Sequence, residues 1–404
     1  MKFLVWFPIF LIFQEFQSIS SNGETVQILH HWIFGDSIIK QNIPDSIAHD
    51  VKNRKLFIAI PRVFESNTMT LAEINDGSAR SANFIPFSGK PTKPFISVYQ
   101  VVVDECDRLW VLDAGSAYKG RYEKRNAAII AFDLKTKKDY PEISRYEIPK
   151  EYVKEPHYFA KMAVDVVNPT EGCDKTFIYI ANHLECAMIV YNHKDKTSRR
   201  ITHRSFQPKR QTEITRASLK YTSGLYSITL GQRDANGDRI AYYIPGSGTE
   251  LFAINTKKIK NKEAFVPTRI GDRELPEDSP LRNKNLWALS YSTGLNDAIT
   301  MAYDPLTKVL FVGEPNNRRI ACWKTEGEFT DENKDAIYSN NDIYLFKDMS
   351  VDAHGTLWSL VYVLEPQEWY KLSPKVIPRI QIWKADTSIA IGGTKCDAGE
   401  SMYY

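Results

Sequence analysis

Short apolar runs that end in aspartate, followed by a polar turn and a second, more apolar run, recur along this chain. The copies are Ile47-Ala-His-Asp50 with Leu56-Phe-Ile-Ala-Ile60, Val101-Val-Val-Asp104 with Leu109-Trp-Val-Leu112, and Met162-Ala-Val-Asp165 with Phe177-Ile-Tyr-Ile180. Three more are Ile228-Thr-Leu230 running on to Asp234 with Ala241-Tyr-Tyr-Ile244, Met301-Ala-Tyr-Asp304 with Val309-Leu-Phe-Val312, and Met349-Ser-Val-Asp352 with Leu357-Trp-Ser-Leu360. A third apolar run follows each pair, from Leu71-Ala-Glu-Ile74 through to Ile380-Gln-Ile-Trp383, and a weaker fourth is visible at Arg145-Tyr-Glu-Ile148 and Arg199-Arg-Ile-Thr202. The runs are too short for helices, and Asp234-Ala-Asn-Gly237, Asp304-Pro-Leu-Thr307 and Asp352-Ala-His-Gly355 carry the residues of tight reversals.

One unit is therefore repeated six times with loops of variable length. Two unrelated β-sandwiches would not repeat one pattern in this way. The expected fold is all-β, a six-bladed β-propeller of four-stranded antiparallel blades around a central channel. Gln27-Ile-Leu-His-His-Trp-Ile33 is the candidate for a strand that closes the ring from the N-terminal side.

Ahead of the repeats, Lys2 precedes an apolar run from Phe3 to Phe13, and the chain turns polar at Gln14 and Glu15. This pattern predicts a secretory signal peptide over residues 1–20, with Ser18 and Ser20 before the cleavage point, and one propeller domain over 21–404. The run is shorter than the ~20 residues of a membrane span, so the expected product is soluble and extracellular. A balance of 52 basic and 49 acidic residues argues against a bulk attraction to nucleic acid. The basic clusters Lys135-Thr-Lys-Lys138 and Lys257-Lys-Ile-Lys-Asn-Lys262 read as solvated loops.

Five cysteines suit a disulfide-forming compartment. Cys106, Cys173, Cys322 and Cys396 lie beside turn-like or terminal sequence, whereas Cys186 opens an apolar run and is expected to be a buried thiol outside any bridge. A Cys106–Cys173 bridge would join the second and third blades at a cost to the unfolded chain of roughly 4 kcal/mol, and Cys322–Cys396 would pin the tail to the fifth. There is no CxxC or Cys/His spacing for zinc, and no cofactor is expected.

The ends of the second strands, Pro61, Asp113, Asn182, Pro245, Glu314 and Val361, are channel candidates. Asp113, Asn182 and Glu314 supply oxygen donors of the type calcium takes, which keeps a lactonase-like enzyme as an alternative, although Asp and Asn at strand ends are also turn formers. No Gly-x-Ser-x-Gly elbow occurs and the eight histidines are scattered, with only His183, next to Asn182, placed at a channel-facing end.

Tyr99-Gln-Val-Val-Val-Asp-Glu-Cys-Asp-Arg-Leu-Trp-Val-Leu-Asp113, with Met162-Ala-Val-Asp-Val166, Asn296-Asp-Ala-Ile299 and Ala321-Cys-Trp323, resembles the insect yellow and major royal jelly protein family. Ser227-Ile-Thr-Leu-Gly231, Gln232-Arg-Asp234 and the tail Ile389-Ala-Ile-Gly-Gly-Thr-Lys-Cys396 are similar to the yellow-related proteins of sand-fly saliva. The resemblance implies two disulfides among the four cysteines above, with Cys186 an addition. It also implies a monomeric salivary protein that is no enzyme and that sequesters biogenic amines such as serotonin, catecholamines and histamine during blood feeding. A dopachrome-converting relative leaves melanin-pathway chemistry as a family-level alternative, and a salivary effector or antigen acting without ligand is another.

In the salivary amine binders a Thr hydroxyl, an Asn side chain and a Phe contact hold the ligand's ammonium, and the corresponding positions here are Lys347, Tyr362 and Leu364. A lysine ammonium 4 Å from a bound ammonium repels it by ~4 kcal/mol at an effective dielectric near 20. Losing the Asn carbonyl removes a charge-assisted hydrogen bond worth about 1.5–3 kcal/mol. Leu364 offers no aromatic face. The resemblance thus implies weakened or altered amine binding if Lys347 points inward, with acidic or neutral ligands as the alternative class, and no such effect if Lys347 snorkels to solvent.

Overall fold

Six hydrophobic wedges, one between each pair of neighbouring blades, make up the core. The computed structural model describes residues 26–32, 44–62, 69–77, 84–117, 124–153, 159–207, 224–246, 250–263, 267–272, 300–315, 317–363 and 379–397. Blade 1 is β2 (Ser46–Asp50), β3 (Lys55–Ala59), β4 (Leu71–Asn75) and β5 (Ile85–Pro86), and blade 2 is β6 (Val98–Val103), β7 (Arg108–Asp113), β8 (Ala128–Asp133) and β9 (Glu142–Glu147). Blade 3 comprises β10 (Phe159–Val166), β11 (Thr176–Asn182), β12 (Ala187–Asn192) and β13 (Thr197–Thr202), and blade 4 comprises β14 (Leu225–Arg233), β15 (Arg239–Pro245), β16 (Glu250–Asn255) and β17 (Thr268–Asp272). β18 (Met301–Asp304), β19 (Val309–Glu314), β20 (Arg319–Lys324) and β21 (Lys334–Ser339) form blade 5. β22 (Ile343–Val351), β23 (Thr356–Val363) and β24 (Arg379–Asp386) form blade 6, completed by β1 (Gln27–Trp32) antiparallel to β24. The fold is the six-bladed propeller that the repeats predict, closed by the expected N-terminal segment.

The wedges explain why the second strand of each repeat is almost wholly apolar. In β3, Leu56 and Ile58 face blade 6, where they meet Trp358 and Leu360, while Phe57 and Ala59 face blade 2, against Val98 and Val111. A strand covered on both faces needs apolar residues at odd and even positions alike, so the two-residue alternation of a half-exposed sheet is lost. The outer strand β9 is exposed on one side and keeps its charges.

The aspartate that ends each first run is there for the turn. Asp104 Oδ1 accepts from the amides of Cys106 and Arg108 (2.9 and 3.1 Å), and Asp352 Oδ1 from those of His354 and Thr356 (2.9 and 3.0 Å). Their second oxygens take the indole N–H of Trp110 and Trp358, at 2.7 and 2.9 Å, so the repeated Asp and Trp are one device linking turn to second strand. Asp165 departs from this: its carboxylate accepts from Tyr179 and pairs with Lys260 and Arg239 of blade 4.

Both expected disulfides are present, Cys106–Cys173 between blades 2 and 3 and Cys322–Cys396 between β20 and the tail. Cys186 joins neither, as expected, but it is not a core residue. It is only half-buried and sits in the turn before β12 with φ 47°, because the apolar run starts its strand at Ala187.

Candidate functional site

The first strand of a blade lines the channel, running from one face of the ring to its terminal aspartate at the other. At the head of four of these strands the ladder with the second strand shifts register by one residue. Tyr99 is the extra residue in β6, Ala160 in β10, Tyr226 in β14 and Lys347 in β22, whose partners step from Val361 opposite Phe346 to Leu360 opposite Asp348. A β-bulge frees a residue from the pleat and re-aims it. Asp45 and Thr300 hold corresponding places just before β2 and β18.

These residues meet. Lys347 Nζ lies 2.5 Å from Asp45 Oδ1, and both side chains are almost fully buried. Lys347 therefore points inward, and the solvent-directed alternative is excluded. Burial, with the Asp45 carboxylate adding to it, pushes the phenols of Tyr99, Tyr226 and Tyr362 up, so all three are neutral donors at physiological pH. Burial also pushes His183 down to about 3, helped by the Lys347 ammonium, and its ring stands edge-on to Tyr226 with centroids 5.6 Å apart. Side chains from blades 1, 2, 3, 4 and 6 thus converge on one carboxylate and one ammonium.

A second buried pair lies directly beneath. Asp348 is paired with Lys161 of β10 and accepts from Ser46 Oγ (2.8 Å) and the Ile47 amide (2.9 Å); Lys161 Nζ also donates to the Met349 carbonyl at 2.8 Å. Two carboxylates and two ammoniums cancel, so the head of the channel is polar but neutral. Three buried oxygens near it, Gln100 Oε1, Asn182 Oδ1 and Thr300 Oγ1, have no hydrogen-bond partner among the described residues. An acceptor left in this state costs about 1–3 kcal/mol.

The sequence-predicted positions are only partly brought together. Lys347 and Tyr362 belong to the cluster, and the Tyr362 hydroxyl donates to the Pro44 carbonyl at 2.8 Å. Leu364 lies outside the described residues. Asn182 precedes His183 and uses its amide nitrogen on Glu185 (3.0 Å). Glu314 is engaged within its own blade, by Asn317 Nδ2 and Arg319 Nε at 2.8 and 2.6 Å. Asp113 accepts from the amides of Ile96, Ser97 and Gly115 and so anchors a loop. Val361 packs into the wedge between blades 5 and 6 instead of facing the channel. Among the described residues no group of three or more His, Cys, Asp or Glu side chains is placed to hold a metal ion. Asp45, Tyr99, Lys161 and Tyr226 were not legible as site residues: Tyr99 and Tyr226 are re-aimed by bulges that change pairing without changing composition, Lys161 follows the bulge at Ala160, and Asp45 sits ahead of β2.

Residues 96–396 match the description of the family named major royal jelly protein. Over 377 residues the chain is 41% identical to yellow-related salivary protein SP04 of Phlebotomus argentipes, covering 89% of this chain and 88% of that protein. It is 36% identical over 413 residues to yellow-related salivary protein LJM11 of Lutzomyia longipalpis, covering 97% and 99%. Both relatives are salivary, and neither name is that of an enzyme.

Proposed function

The chain belongs to the major royal jelly protein family, and on that premise we propose that it is a secreted salivary protein that holds a small host mediator, of the biogenic amine class, at the head of its channel without transforming it. The observation that carries this reading is the buried Asp45 carboxylate among Tyr99, Tyr226 and Tyr362. A carboxylate with aromatic neighbours is the arrangement that recognises a ligand ammonium. The unpartnered oxygens of Gln100, Asn182 and Thr300 add acceptors for a ligand rich in N–H and O–H groups.

Lys347 sets the affinity. Its ammonium already pairs with Asp45, so an entering amine meets a carboxylate in use and a positive charge beside it, a repulsion of ~4 kcal/mol at 4 Å and an effective dielectric near 20. Amine binding in this chain is therefore weak for its family, with serotonin, catecholamines and histamine, the mediators met during blood feeding, as its candidate ligands.

Calorimetric titration with serotonin, noradrenaline and histamine tests both parts, using the wild type and Lys347→Thr. The expected result is binding weaker than about 1 μM for the wild type, tightened in the variant. Submicromolar binding to the wild type would sink the weakened-pocket reading, and no heat from any amine with either protein would sink the amine reading itself.

A further inference from the structure

In blades 2 to 5 the turns between the third and fourth strands emerge on one face, the face where the first strands end. In blades 2, 3 and 4 these turns lie between β8 and β9, β12 and β13, and β16 and β17. Together they carry nine lysines against three acids, an excess of six where the whole chain has a net charge of +3. The corresponding turn of blade 5, between β20 and β21, has four acids, Glu326, Glu328, Asp331 and Glu332, and no basic residue. The face is therefore strongly polarised although the chain is nearly balanced.

The three basic turns are neighbours in space. Lys196 of the blade 3 turn donates to Ser144 of β9 in blade 2 at 2.9 Å, and Arg199 of β13 donates to the Ile259 carbonyl in the blade 4 turn. Lys135, Lys137, Lys138, Lys194, Lys257 and Lys258 are all exposed, and none has an ion pair among the described residues. Six solvated ammoniums on a continuous arc lose little hydration on meeting an anion and repel each other until they do.

We infer that this arc is a docking surface for a linear sulfated polysaccharide of the glycosaminoglycan type. Lysine suits sulfate as a compact point charge without the fixed fork of arginine, and the three turns contain no arginine. Their described residues also expose no aromatic ring on which a nucleobase would stack, Tyr140 being fully buried. A chain laid along three blades would spread its charge over the arc, leaving the acidic turn of blade 5 to set where it ends.

The test is binding of a size-defined heparin oligosaccharide at several salt concentrations, by calorimetry, on the full-length protein. One variant combines Lys137→Glu, Lys138→Glu, Lys257→Glu and Lys258→Glu; a second, with equal charge change off the arc, combines Lys52→Glu, Lys150→Glu, Lys308→Glu and Lys395→Glu. Thermal melting checks that both fold. At about 0.15 M salt the arc variant is expected to bind at least about tenfold more weakly and with a shallower salt dependence, while the control stays within about threefold of wild type. Equal weakening in both variants would reduce the effect to net charge and overturn the proposal. So would absence of wild-type binding at that salt, or equal competition by a single-stranded oligonucleotide of the same charge.

Discussion

Lys347 and Asp45 form a buried ion pair, Nζ to Oδ1 2.5 Å, between the last blade and the first. The neighbouring residues continue the contact: Ser46 and Ile47 bind Asp348, and His49 Nδ1 lies 2.7 Å from Asp352 Oδ2. The junction where the ring closes is therefore stitched by charged groups along its whole height, above the apolar wedge of Leu56, Leu360 and Ile382. Lys347, proposed above to weaken amine binding, is thus also a structural residue, and the two roles separate by experiment.

Lys347→Met leaves the Asp45 carboxylate buried without its cation. The expected loss is roughly 3–5 kcal/mol in urea unfolding at pH 7. Adding Asp45→Asn removes the stranded charge, and the double variant is expected to regain most of that loss.

His183 makes stability pH-dependent. Its folded value, about 3, lies below the ordinary 6.5, so in this window the unfolded chain binds a proton that the folded chain does not. Stability present above about pH 6.5 is lost as pH falls, at ~1.4 kcal/mol per unit until the folded value is reached. Comparing urea midpoints at pH 7 and pH 5, His183→Gln is expected to show a smaller drop than the wild type.

Asp352 acts at lower pH. Burial works against its charge, but the hydrogen bonds from His49, Trp358 and the amides of Thr356 and His354 outweigh it and hold the carboxyl below its usual range. Its contribution is present above the unfolded value near 3.9 and lost as pH falls through the folded one. Asp352→Asn should cost about 2–3 kcal/mol at pH 7 and flatten the acid limb of the stability curve below about pH 4.

Replacing Cys106 and Cys173 together by serine frees a loop whose ends are 67 residues apart. The chain-entropy relation gives a loss of roughly 4 kcal/mol. Denaturant unfolding of the double variant measures it, and a loss under about 1 kcal/mol would mean that the Arg108 bonds to Cys173 and Thr176 already hold blades 2 and 3 together.

The architecture was legible because its causes are local. An aspartate at the end of the first strand and a second strand apolar on both faces leave the same mark in repeat after repeat, and the Cys106–Cys173 bridge joins two turns that the repeat already located. The site was less legible because its causes are not local. Tyr362 and Lys347 were found only through resemblance, and the partner of Lys347 lies at the opposite end of the chain. Tyr99 and Tyr226 read as ordinary strand residues until a register shift lifts them from the sheet. Cys186 misled for a related reason: an apolar run does not tell where its strand begins.

Closure by β1 also imposes an order of events. Gln27 pairs with Lys384 and Trp32 with Ile380, so among the described strands the first to leave the ribosome finds its place only when the last has been made. Five blades can assemble as they are synthesised, each from consecutive strands, whereas the sixth must wait for the whole chain. Until then the flank of blade 1 that carries Asp45 and His49 has no partner, and the cell must keep an almost finished ring from closing on a neighbour's strand instead of its own.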